Sequence, residues 1–304
     1  MRSGLCNSFV AIGLALAMCS AAAQQSQAVP PQPAQTDGIK SLDAVVVTGS
    51  VSGPGLWNVY KDDEHDLWIM GTLSPLPASI EWDATNVREM IADAQEVLWT
   101  PGYAVNVEAN LFQQAALGLG YLRAKKNPDG QSLKDVLPAD VYARWIKAKA
   151  VYLRGNAGIE KRRPLVAAEE LLDAAVKRAR LSTKPIVYPA LEETIKSNGV
   201  RSNYPQVKIN VSNAAAKAAL ADVRRMQLDD VRCLEATLDA VETDIPRMVA
   251  NANAWATGDV AAISFQALQR RNLLCADAMM NPEFSAKYGL QDINSSIAAR
   301  WMQE

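Results

Sequence analysis

Residues 55–77 read Gly55-Leu56-Trp57-Asn58-Val59-Tyr60, then Lys61-Asp62-Asp63-Glu64-His65-Asp66, then Leu67-Trp68-Ile69-Met70-Gly71-Thr72-Leu73-Ser74-Pro75-Leu76-Pro77. Two short apolar runs on either side of a polar turn predict a β-hairpin. The second run ends at Gly71-Thr72 and passes into a proline-rich loop. Ala44-Val45-Val46-Val47-Thr48-Gly49 is a further β-branched run on the N-terminal side. Asn86 to Ala94 reads as a short helix, and Glu96-Val97-Leu98-Trp99 as a strand closed by Pro101-Gly102.

From about Leu111 the period changes from two to 3.6. Pro138 to Leu153 opens on a proline suited to a helix start and places Val141, Trp145 and Ala148 on one face. Val166 to Arg180 carries a stripe of Ala168, Leu171, Leu172, Ala175, Val176 and Ala179. Pro185 to Lys196 predicts another helix, ended by Asn198-Gly199. The longest predicted element runs from Asn213 to Thr257. Its seam of Val231, Leu234, Leu238, Val241, Ile245, Met248, Ala252 and Trp255 alternates spacings of three and four. Pro246 should kink or restart that helix. The seam fits a long core helix or an assembly surface between copies. A last helix, Ile263 to Met280, puts Phe265, Leu268, Cys275 and Met279 on one face. The fold class is therefore helix-rich α/β (α+β), with short N-terminal strands in a small sheet packed by a large helical region.

Composition narrows the function classes. The chain has 304 residues, 49% of them hydrophobic, with 31 basic and 33 acidic side chains and one histidine. That apolar fraction excludes a disordered chain, and the balanced charge without a basic block argues against a nucleic-acid partner. A single histidine leaves little for imidazole-based chemistry.

Met1 to Ala23 has the layout of a secretory signal peptide: Arg2, an apolar run from Phe9 to Met18, and Ala21-Ala22-Ala23 before the cut. The apolar run is too short to span a bilayer, so no transmembrane segment is expected in the mature chain. An outer-membrane lipoprotein anchored on Cys19 is the lesser reading, because Met18 is large for that site. Residues 24–43 read as a disordered Gln-, Ser-, Ala- and Pro-rich tether, and 44–304 as one folded domain. The product is expected to be periplasmic or secreted. Export would remove Cys6 and Cys19 and leave Cys233 and Cys275 in an oxidising compartment. An antiparallel helix pair could join them; two buried free thiols are the alternative.

Chemical motifs are scarce. No phosphate loop, nucleophile elbow or H-E-x-x-H helix is present. His65 lies among acidic residues in the hairpin turn and reads as a solvated residue. Glu169-Glu170, Glu192-Glu193 and Lys161-Arg162-Arg163 read as exposed helix faces and surface charge.

The hairpin stretch with Gly71-Thr72-Leu73-Ser74 resembles the opening of the TraB/GumN family, which is related to the Tiki-type metalloproteases. Ala252-Asn253-Ala254-Trp255-Ala256-Thr257-Gly258-Asp259 is similar to that family's Trp-x-x-Gly-Asp helix end, and Arg271-Asn272 to its Arg-Asn pair. The three pieces follow in the family's order. The family's first-motif histidine, a metal ligand or catalytic group, falls on Ser74, so the motif residues Gly71, Thr72 and Ser74 form a degenerate site with no confident catalytic residue. The acidic position after the next strand falls in Leu98-Trp99-Thr100-Pro101, which has no carboxylate; Glu96 precedes it. The family's second histidine motif lies on a strand beyond the Arg-Asn helix, so the resemblance implies that its C-terminal strands lie outside this sequence. Ser41 to Ser50 also looks like the plug start of TonB-dependent receptors, but over ten residues only.

These readings lead to three functions. A non-catalytic or binding role follows from the loss of the histidine, with no cofactor. A Tiki-type metal-dependent hydrolase, with its remaining ligands expected on residues beyond this sequence, is the alternative, and it alone calls for a divalent metal. A structural role would use the Asn213–Thr257 helix for homo-oligomer contacts. No partner or ligand is named by the sequence.

Overall fold

The computed structural model describes residues 53–302 apart from 63, 64, 155, 280, 281 and 291. The signal peptide, the tether and the run at Ala44 lie outside the described residues. The hairpin forms as read. Strand β1 (Leu56–Asp62) pairs antiparallel with β2 (His65–Met70), Leu56 opposite Met70 and Asp62 opposite His65, with an irregularity between Tyr60 and Asp62.

The other strands do not extend this hairpin. β3 (Leu76–Pro77) pairs antiparallel with β6 (Leu181–Ser182). β4 (Glu96–Leu98) runs parallel to β7 (Arg201–Asn203), and β5 (Gly102–Glu108) parallel to β8 (Gln206–Ser212). Among the described residues the expected small sheet is thus four two-stranded units, three of which pair strands about a hundred residues apart in the chain. Parallel pairing needs long crossovers, and helices fill them here.

Those helices are α2 (Leu111–Ala124), α3 (Leu133–Val136), α4 (Ala139–Tyr152), α5 (Pro164–Arg178) and α6 (Val187–Ser197); α1 (Thr85–Asp93) precedes β4. After β8 come α7 (Asn213–Arg225), α8 (Val231–Thr243), α9 (Met248–Ala256), α10 (Gln266–Met279), α11 (Pro282–Lys287) and α12 (Ile293–Trp301). Local sequence sets many of their ends. Asn110 and Gln113 make a reciprocal capping box at the start of α2, and Pro164 occupies the first turn of α5. Among the described residues, no helix is long and apolar enough to cross a membrane.

One expectation is corrected. The span from Asn213 to Thr257 is not a single helix but α7, α8 and α9 with breaks between them. The first break falls at the extended Met226 and the following Gln227-Leu228-Asp229-Asp230. The second is a 3-10 turn, Ile245–Arg247, placed where Pro246 has no N–H to donate. The seam survives the breaks: Leu234, Leu238, Val241, Ile245, Met248, Ala252 and Trp255 are all buried within the chain's own core.

Helix α8 is the axis of that core and packs against α5 and antiparallel to α10. Leu133, Trp145, Leu171, Leu234, Leu238 and Met248 are fully enclosed. Each such side chain stabilises the fold by about 1.5–3 kcal/mol relative to exposure. Cys233 on α8 and Cys275 on α10 form a disulfide with Cα atoms 4.6 Å apart, so the paired alternative holds.

Another correction concerns Arg163, which is not a surface residue but only 3% exposed. Its guanidinium donates to the carbonyls of Ala124 at 3.0 Å and of Val223, Arg224 and Met226 at 2.5–3.2 Å. Those carbonyls end α2 and α7, where the helix dipoles are negative. One buried cation therefore ties the β5–α2 and β8–α7 units to the helical body. Burial pulls its pKa downward, with Asp230 as the opposing charge.

Candidate functional site

The hairpin meets the helical body at its open end, where Gly55 and Gly71 lie. A Cβ on Gly55 would stand 2.8 Å from Val260 Cγ2 and 3.3 Å from the Trp57 ring; one on Gly71 would stand 3.2 Å from that ring. Both positions must stay small for the indole to lie along the strand ends. The Gly71 carbonyl accepts the Trp255 indole N–H at 2.8 Å. Trp255 also packs against Trp82, with ring centroids 5.5 Å apart. The two motif segments that stand far apart in sequence are thus in direct contact.

Each residue of the Trp-Gly-Asp segment has a structural task. Gly258 takes the left-handed conformation (φ 74°) that ends α9, and the Asp259 N–H reaches back to the Ala254 carbonyl at 2.9 Å. The Asp259 carboxylate accepts from Ala262 N–H at 3.3 Å and caps the 3-10 turn Val260–Ala262. Buried Asn251 then clamps Ser264, donating to its carbonyl at 2.7 Å and accepting its N–H at 3.2 Å. This fixes where α10 begins.

Between the hairpin end and the start of α10 lies an open cavity of about 380 Å³. Gly55, Trp57, Gly71, Thr72 and Leu73 form one wall. Trp255, Val260, Ile263 to Gln266 and Gln269 form the other. Gly71 and Thr72 of the expected site are therefore brought to it. Ser74 is exposed and is not among the lining residues. In the Leu98–Pro101 stretch where an acid was expected, the Trp99 indole donates to Ser202 Oγ at 2.9 Å and stacks on Tyr204. Glu96 faces Arg201 at 3.4 Å. His65 belongs to β2, opposite Asp62.

Arg271 of the Arg-Asn pair turns into the core rather than the cavity. It is ion-paired with Glu169, contacts Thr237 Oγ1 at 3.4 Å and donates to Asn272 Oδ1 at 3.1 Å. Burial lowers its pKa to about 10, so it remains a cation at neutral pH. Glu169 is accordingly an internal counter-ion, not the exposed residue its place in a Glu-Glu pair implied.

Among the described residues, the lining contains no imidazole, thiol or carboxylate. Among the described residues, no three His, Cys, Asp or Glu side chains gather as a metal would need. The described donor set by itself does not fit the divalent metal of the hydrolase reading. The residues that sequence reasoning missed are Trp57, Asn251, Ser264, Gln266 and Gln269. The Gly-x-Trp spacing at Gly55 and the Gln pair three residues apart were the signals available.

A hairpin ending in Gly-Thr and seated on a helical body through a Trp-Gly-Asp helix end defines a mixed α/β protein with its cleft at that junction. The model of the TraB/PrgY/gumN family matches residues 55–294, and the chain belongs to this family. No curated protein and no solved structure matches the chain.

Proposed function

We propose that the chain is an exported, non-catalytic binding protein that uses the cleft between Gly71-Thr72 and the start of α10. The observation that carries this reading is the uncharged lining of that cleft. A hydrolytic site needs a group that holds or moves a proton, or a metal that activates water. The lining offers only Thr and Ser hydroxyls and Gln amides, and Ser74 replaces the histidine of the family motif outside the cavity wall. Export rests on the signal-peptide layout of Met1 to Ala23. The test is turnover by the mature full-length chain on peptide and ester panels, with zinc or manganese added and with a chelator. No hydrolysis above the buffer rate is expected. Chelation-sensitive hydrolysis would overturn the proposal in favour of the metal-dependent reading.

A further inference from the structure

Accepting that the cleft binds a ligand, we infer that the ligand is an uncharged saccharide. Trp57 is the first determinant. Gly55 and Gly71 leave room for its indole to lie along the open end of the hairpin, and the side chain is still 45% exposed. A flat aromatic surface beside an open cavity stacks on an equally flat apolar face. The opposite wall supplies the amides of Gln266 and Gln269, and Thr72 and Ser264 add hydroxyls. The side chains of Thr72, Gln266 and Gln269 have no hydrogen-bond partner among the described residues, so they are free to donate to and accept from a ligand. A pyranose ring matches this pattern, with C–H bonds on its faces and hydroxyls around its rim. The cavity of about 380 Å³ lies within the range of small-molecule sites. A carboxylate, phosphate or ammonium on the ligand would find no counter-charge on the lining to offset the water it gives up there.

The test uses the mature full-length chain on an array of neutral oligosaccharides, uronic-acid-bearing oligosaccharides and end-blocked peptides, followed by calorimetric titration of the hits. Neutral oligosaccharides are expected to bind, acidic ones at least tenfold more weakly. Gln269→Ala, at an exposed residue, should weaken binding about tenfold while leaving the melting temperature unchanged. Trp57→Leu should reduce it further. Selective binding of acidic oligosaccharides or of peptides, sensitive to Gln269→Ala, would overturn the inference of an uncharged saccharide and keep the cleft. Neutral binding indifferent to both substitutions would overturn its placement. Failure of every probe class to bind would overturn both the inference and the binding proposal.

Discussion

Two successive stretches of α10 use polar residues in opposite ways. Gln266 and Gln269 are exposed amides on the cavity wall. Arg271, two positions on, is 6% exposed and held by Glu169 and Thr237. The same division runs through the neighbourhood. Asp244 caps α10 by accepting from Leu268 N–H at 2.7 Å, Asp259 caps a 3-10 turn, and Asn251 clamps Ser264. Near the cleft, charged and buried polar groups are committed to holding helices in place, and what faces the opening is neutral. A residue type alone does not say which side of that division it falls on. Arg271-Asn272 reads as a functional pair by motif, yet its contacts are those of a structural brace.

The brace side should be sensitive to substitution and the cleft side tolerant. The largest effect is expected at the disulfide that joins α8 to α10. Its cysteines are 42 residues apart, and losing the link through Cys233→Ser with Cys275→Ser should cost about 4 kcal/mol by denaturant titration. A cost below about 1 kcal/mol would show that the packing of α8 on α10 suffices alone. Glu169→Gln comes next. It leaves the Arg271 guanidinium buried without its counter-ion, at about 3 kcal/mol, and Glu169→Gln combined with Arg271→Met should recover most of that loss in a double-mutant cycle. Trp255→Phe removes the indole N–H that holds the Gly71 carbonyl while keeping an aromatic ring. A loss of about 1–2 kcal/mol is expected, with faster amide exchange at the β2 end as the local readout. Smallest of all, Gln266→Ala and Gln269→Ala should change stability by less than about 0.5 kcal/mol.

Much of the helical body was legible because its signals are local. Val141, Trp145 and Ala148, and the buried stripe of α5, declare their faces through period alone. The hairpin was legible for the same reason. The parallel pairs were not: β5 and β8 are short alternating runs whose partners lie about a hundred residues away. Arg163 escaped for a related reason, since three helix and loop ends must converge before its burial makes sense. At the site, the motif pieces were read in the right order, but what they build was not. Gly71 and Trp255 were separate signals in the sequence and a single hydrogen bond in the structure. Ser74, the position that carried the sequence argument, stands outside the cavity that its neighbours line.

The central claim is a neutral cleft without metal-centred chemistry, and the metal content of the full-length chain tests it most directly. The protein would be purified without chelator, incubated with zinc or manganese salts, desalted and read by elemental mass spectrometry. Far less than one transition-metal ion per chain is expected, whatever the salt. One ion held per chain through desalting and released by chelator would contradict the account.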